Sequence, residues 1–124
     1  MRVLIVDDFP TMRRILKNVL RQIHIENTLE AQNGKEALDL LRREQVDLIV
    51  CDWLMPEMTG IELLRACKDD PQISNIPFIM VTAEAQKKAV MEAIKAGVDN
   101  YITKPFTPER LQDAIGKVMG KSAQ

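Results

Sequence analysis

Three carboxylates, a threonine and a lysine occupy the ends of apolar runs in this chain. "VLIV" (3–6) ends on Asp7 and Asp8, "LIVC" (48–51) on Asp52, and "FIMV" (78–81) on Thr82, while "NYIT" (100–103) is followed by Lys104. Carboxylates brought close together repel, so they raise one another's pKa or bind a cation. Oxygen ligands without Cys or His partners favour Mg²⁺, or Mn²⁺ in its place, over zinc. Magnesium keeps some of its waters and completes its shell with phosphate oxygens, which a lysine and a hydroxyl can also contact. The set is equipped for phosphoryl transfer: a metal, a counter-charge and a positioned nucleophile. Asp52, the lone acid at its strand end, is the carboxylate expected to attack phosphorus and become an aspartyl phosphate.

Such chemistry requires an architecture that gathers strand ends. Apolar spacing predicts helices over about 10–23 (Ile15, Leu16, Val19, Leu20, Ile23 inward), 35–43 (Ala37, Leu38, Leu41), 61–69 (Ile61, Leu64, Cys67), 85–96 (Ala89, Val90, Ala93, Ile94) and 108–119 (Leu111, Ala114, Ile115, Val118, Met119). Pro10 suits a first turn, Thr107 an N-cap and Gly97 a C′ stop. Weaker strands fit at 27–31 and 100–103. The result is an α/β chain of type (βα)5, a doubly wound parallel five-stranded sheet of flavodoxin-like form. Unbroken apolar runs belong to central strands, so strands 1, 3 and 4 are central and strands 2 and 5 are edges. Right-handed crossovers then favour the order 2-1-3-4-5, with its switch point between strands 1 and 3, where ligands bind in such sheets. Residues 1–120 read as one domain and 121–124 as a loose tail.

Composition narrows the classes. With 124 residues, 46% apolar and 28% charged, the chain can bury one core. A net charge of −1 gives no support for nucleic-acid binding, and no apolar stretch approaches membrane-spanning length. Cys51 and Cys67 sit in apolar patterns that suggest no disulfide framework, so a reduced, cytoplasmic setting and a monomer are expected. His24, alone of its type, reads as a surface or helix-end residue. Met55, Met58, Met80, Met91 and Met119 read as core or rim packing, and Lys87-Lys88 as a solvated helix start.

"VDD" (6–8), "DWLMP" (52–56), Gly60, "VTAEA" (81–85) and "KPFT" (104–107) together resemble the receiver domain of bacterial response regulators, along essentially the whole chain. The order 2-1-3-4-5 also comes with that resemblance. "DDFPTMRR" (7–14), Trp53, "TAEA" and Tyr101 look closer to stand-alone chemotaxis regulators than to receivers of transcription factors, and the chain stops just after its fifth helix. The resemblance implies that Asp52 accepts a phosphoryl group from a histidine of a sensor kinase. Asp8, Asp52 and the backbone carbonyl of Leu54 would ligate Mg²⁺ directly, and Asp7 through water. Lys104 would pair with the phosphoryl group, Thr82 would bond it, and Tyr101 would turn from an exposed to a buried rotamer. The Lys104–Pro105 bond is expected to be cis, as is typical in the family. The output surface would comprise helix 4, strand 5 and helix 5, with the flagellar motor switch protein as partner; whether a phosphatase acts is left open.

One residue departs from the pattern. Position 54 is commonly asparagine in chemotaxis regulators and is Leu54 here, so phosphoryl lifetime is expected to rest on Leu54 and Glu84. The alternatives are a receiver in a non-chemotaxis phosphorelay, a phosphate sink, and a metal-dependent aspartyl phosphohydrolase. The phosphohydrolase would want a general acid at position 54. A flavin carrier shares the topology but wants a Ser/Thr/Gly-rich loop where this chain has two acids.

Overall fold

β1 (Val3–Val6), β3 (Leu48–Asp52) and β4 (Phe78–Ala83) are buried along almost their whole length, while β2 (Thr28–Ala31) and β5 (Asn100–Lys104) are mixed. These strands come from a computed structural model that describes residues 1–55, 57–83 and 87–122, excepting the side chains of Lys121 and Ser122. They form one parallel sheet in the order β2-β1-β3-β4-β5, as expected. Strands of β-branched and large aliphatic residues on both faces suit only the middle of a sheet covered on two sides.

Five helices supply the cover: α1 (Pro10–Gln22), α2 (Gly34–Arg43), α3 (Gly60–Asp69), α4 (Lys87–Lys95) and α5 (Pro108–Ser122). One core layer joins Leu4, Val6, Ile49, Cys51, Phe78 and Met80 of the sheet to α2, α3 and Ala93 of α4. The other joins Val3, Ile5, Leu48, Val50, Ile79, Val81 and Ile102 to α1 and α5. Alternation along each strand accounts for this division. Ile79 is fully buried at the centre of the second layer, and its truncation to alanine would cost about 2–5 kcal/mol.

Local signals set the helix ends. Pro10 lies in the first turn of α1, Asn33 Oδ1 accepts from the Glu36 amide (2.8 Å), and Thr107 Oγ1 from the Arg110 amide (3.2 Å). Thr59 and Glu62 form a reciprocal capping box at the start of α3. At the far end of α1 the amides of His24 and Ile25 return to Arg21 and Leu20, with His24 at φ 69°, so the lone histidine is a helix-end residue. Gly97 (φ 92°) closes α4 in the same way, the amides of Gly97 and Val98 returning to Ile94 and Ala93.

Three details correct the sequence reading. Ile15 is 43% exposed and Ile94 54%, although both were expected inward. Each lies about 100° round its helix from a sheet-facing neighbour, Leu16 or Ala93, and the contact stripe is too narrow to include it. α5 runs to Ser122 rather than ending near Met119, because "GKS" contains no proline to stop it. Met55 and Met80 are buried and Met58 and Met119 half-buried, whereas Met91 of α4 is exposed to solvent and packs neither core nor rim.

Candidate functional site

Parallel register brings the carboxyl ends of β1, β3 and β4 into line. Val6 pairs with Cys51 and Cys51 with Met80, so Asp7, Asp52 and Val81 follow in the next row. By alternation Asp7, Asp52 and Lys104 continue the rows Val3–Ile5, Leu48–Val50 and Ile102, on the face covered by α1 and α5. Thr82 continues Phe78 and Met80, the opposite row.

Asp7, Asp8 and Asp52 each offer a carboxylate oxygen, and these oxygens lie within 4.8 Å of one another. Asp7 and Asp52 are buried. Asp7 Oδ1 accepts from the Phe9 amide at 2.9 Å, whereas Asp7 Oδ2 and Asp8 Oδ1 are buried with no hydrogen-bond partner among the described residues. Orphaned buried oxygens of this kind are costly unless something binds them. A hard divalent cation fits: three oxygen donors within 4.8 Å of one another, no sulfur or imidazole among them, and two buried acceptors without a partner among the described residues.

Lys104 Nζ donates to Asp52 Oδ1 at 2.9 Å. Burial pushes the Asp52 carboxyl above its usual range, and the Lys104 bond and charge pull it back down. Asp7 is pushed up to about 6, chiefly by burial; the Phe9 amide opposes this, and Asp52 adds to it. Lys104 is held at a cis Lys104–Pro105 peptide, as expected.

Thr82 and Tyr101 lie on β4 and β5, and Leu54 follows β3. Thr82 is buried, its hydroxyl donating to the Ala83 carbonyl at 3.4 Å. Tyr101 is 39% exposed on β5, in the outward position. Leu54 is 61% exposed in the loop after β3, and Phe9 is exposed in the loop after β1. Glu84 lies outside the described residues. Cys51 and Cys67 are buried free thiols whose burial pushes both upward, Cys67 to about 11, so neither is a thiolate at neutral pH.

Arg13 was missed by the sequence reading. Its Nη1 donates to the Asp7 carbonyl at 2.7 Å while its Nε pairs with Glu30 at 3.1 Å, tying α1 and β2 to the main chain of the acid pair. The only sequence signal was an arginine in the first turn after two acids, a pattern too common to single out.

Comparison with known proteins agrees with this geometry. The family model for the response regulator receiver domain matches residues 3–116. The chain is 50% identical to chemotaxis protein CheY of Pseudomonas aeruginosa over 95% of each chain. It is 47% identical to chemotaxis protein CheY-3 of Vibrio cholerae over 95% of this chain and 91% of that one. Among solved structures, a putative response regulator from Chloroflexus aurantiacus superposes with a TM-score of 0.91 at 30% identity, covering 96% of this chain and 97% of that one. Chemotaxis protein CheY4 of Vibrio cholerae gives 0.86 at 31%, covering 94% and 97%. With the sheet order, the acid cluster and the matched span in agreement, this chain belongs to the response regulator receiver domain family.

Proposed function

We propose that this chain is a phosphorylation-activated switch of a two-component system, whose Asp52 takes a phosphoryl group from a histidine of a sensor kinase. The observation that carries the reading is the buried Asp52 carboxylate, bonded to Lys104 on one side and facing Asp7 and Asp8 on the other. Asp8, Asp52 and the Leu54 carbonyl would hold Mg²⁺ directly, and Asp7 through water. Bound there, the ion supplies positive charge to the phosphoryl oxygens. Lys104 keeps Asp52 ionised before transfer and pairs with a phosphoryl oxygen afterwards. A carboxylate oxygen of Asp52 forms the new bond to phosphorus as the phosphorus–nitrogen bond to the donor breaks, and the imidazole leaves with that electron pair and takes a proton from solvent. The protein catalyses its own phosphorylation and slow dephosphorylation rather than turning over a substrate.

In this reading Thr82 would bond the phosphoryl group and Tyr101 would turn inward, altering the face formed by α4, β5 and α5. An open groove of about 280 Å³ runs there, lined by Tyr101, Ile102, Arg110, Asp113 and Lys117 among others. The chemotaxis names of the relatives support a role in chemotaxis signalling; within that reading the chain would act as a cytoplasmic monomer on the flagellar motor switch.

Incubation with acetyl phosphate and Mg²⁺ tests the chemistry: intact mass should rise by one phosphoryl group, and labelling of Asp52→Asn equal to wild type would sink the assignment. Capture from lysate with and without beryllofluoride tests the pathway. Motor-switch protein recovered only with the mimic supports chemotaxis, whereas recovery of a histidine phosphotransfer protein alone would place the chain in a relay.

A further inference from the structure

Gly60 opens α3, and its amide donates to the Trp53 carbonyl at 2.9 Å, closing the loop that carries Leu54. A Cβ built on Gly60 would lie 2.5 Å from the Asp52 carbonyl oxygen, 2.8 Å from Met80 Sδ and 3.1 Å from Trp53 Cα. Distances below 3.0 Å are essentially unseen for real Cβ atoms. The backbone at Gly60 is not left-handed, so the glycine is required by contact and not by conformation. Of the two closest atoms, the thioether can rotate away. The carbonyl cannot, because it belongs to the main chain of Asp52, and the next residue is tied into β4 through the Trp53 amide and the Val81 carbonyl (2.9 Å).

We propose that Gly60 is a positioning residue for the acidic site: its missing side chain lets the first turn of α3 press directly on the Asp52 carbonyl. That contact fixes both the Asp52 carboxylate and the loop presenting the Leu54 carbonyl. The proposal rests on Asp52 being the phosphoacceptor beside a Mg²⁺ site. Any side chain at position 60 must displace either α3 or the end of β3, and both changes misplace ligands. Residues that orient metal ligands without touching the metal commonly change affinity by about ten- to a hundredfold when altered.

The test compares Gly60→Ala with Leu64→Ala, a core truncation one turn further along the same helix. Both should lower Tm. Calorimetric titration with Mg²⁺ alone should show affinity lost about tenfold or more in Gly60→Ala and nearly unchanged in folded Leu64→Ala, with acetyl phosphate labelling slowed in parallel. Wild-type affinity in Gly60→Ala, or an equal loss in Leu64→Ala, would overturn the proposal. Adding Met80→Leu separates the two clashes: affinity should stay low, and its recovery would make the thioether the constraint and overturn the carbonyl contact. If Gly60→Ala does not fold, amide NMR of the wild type takes its place. Mg²⁺ should then shift the Gly60 resonance together with those of Trp53 and Leu54 and leave Leu64 unmoved; a stationary Gly60 resonance would overturn it. A wild type that takes no label sinks the phosphoacceptor reading itself, whereas a labelled wild type beside an unaffected Gly60→Ala sinks only this proposal.

Discussion

Lys104 Nζ lies 2.9 Å from Asp52 Oδ1, across 52 residues of chain and from a strand that is not the immediate neighbour of β3. The lysine crosses over the end of β4 to reach it. This ion pair opposes the burial that raises the Asp52 carboxyl and, under the proposed phosphoacceptor role, would place the cation that meets the incoming phosphoryl group.

Lys104→Ala should therefore slow phosphorylation more than it lowers stability. The Lys104 side chain is 30% exposed, and without it the buried Asp52 carboxyl can take up a proton rather than stay charged, which limits the loss of stability. In the proposed transfer the same lysine would face developing charge, where loss of one donor costs about a hundredfold or more. Labelling rates with acetyl phosphate, set against thermal melts, check this. Equal rates in the two proteins would remove Lys104 from the chemistry.

The acid cluster makes a pH prediction for the metal-free protein. Asp7 has a folded pKa of about 6 against an ordinary 3.8, so the fold binds that proton more tightly than the unfolded chain does. Its contribution is therefore most favourable below about pH 4 and is lost as pH rises through about 6. At about 1.4 kcal/mol per unit, the change is on the order of 2–3 kcal/mol. Burial raises Asp52 as well, which acts in the same direction. Mg²⁺ at the proposed site would bind the ionised carboxylates, so its stabilising effect should grow with pH. Melts in EDTA and in excess Mg²⁺ across pH 5 to 8 should diverge as pH rises, and Asp7→Asn should flatten the EDTA curve. Parallel curves would contradict this.

Leu54, two residues after Asp52 and exposed in the loop after β3, offers only hydrocarbon. An asparagine there could hydrogen-bond an attacking water, so Leu54→Asn should shorten the life of the aspartyl phosphate by about tenfold, or roughly 1.4 kcal/mol of barrier. Decay followed after removal of the phosphodonor, at constant Mg²⁺, gives the comparison. Slower or equal decay in the asparagine variant would show that this side chain does not set the lifetime.

Tyr101, exposed beside the groove of β5 and α5, should couple partner binding to the state of Asp52. A partner that prefers the phosphorylated form must stabilise that form by the same coupling energy, typically about 1–3 kcal/mol. Calorimetry with and without beryllofluoride should show tighter binding with it, and Tyr101→Ala should reduce the difference. Equal affinities in the wild type would rule out a switch at this face.

Much of this protein was legible in its residues. Strands 1, 3 and 4 were readable as central because a strand buried on both faces must be apolar at every position, and the ends of those runs marked where polar groups would gather. The helices were readable from their 3.6-residue rhythm, but the width of each buried stripe was not. Ile15 and Ile94 satisfy the rhythm and still face water, because the curvature of the sheet and the size of neighbouring side chains decide where contact stops. The acids could be assigned to one edge from sequence, yet their mutual distances, the Lys104–Asp52 bond, the Arg13 clamp on the Asp7 carbonyl and the approach of Gly60 to the Asp52 carbonyl could not. The Lys104–Asp52 bond spans 52 residues and depends on strand register, while Arg13 and Gly60 meet main-chain oxygens, and neither kind of contact leaves a trace in residue type. Periodicity is a local property and determined the elements; the site is a product of register and packing, which only the assembled sheet decides.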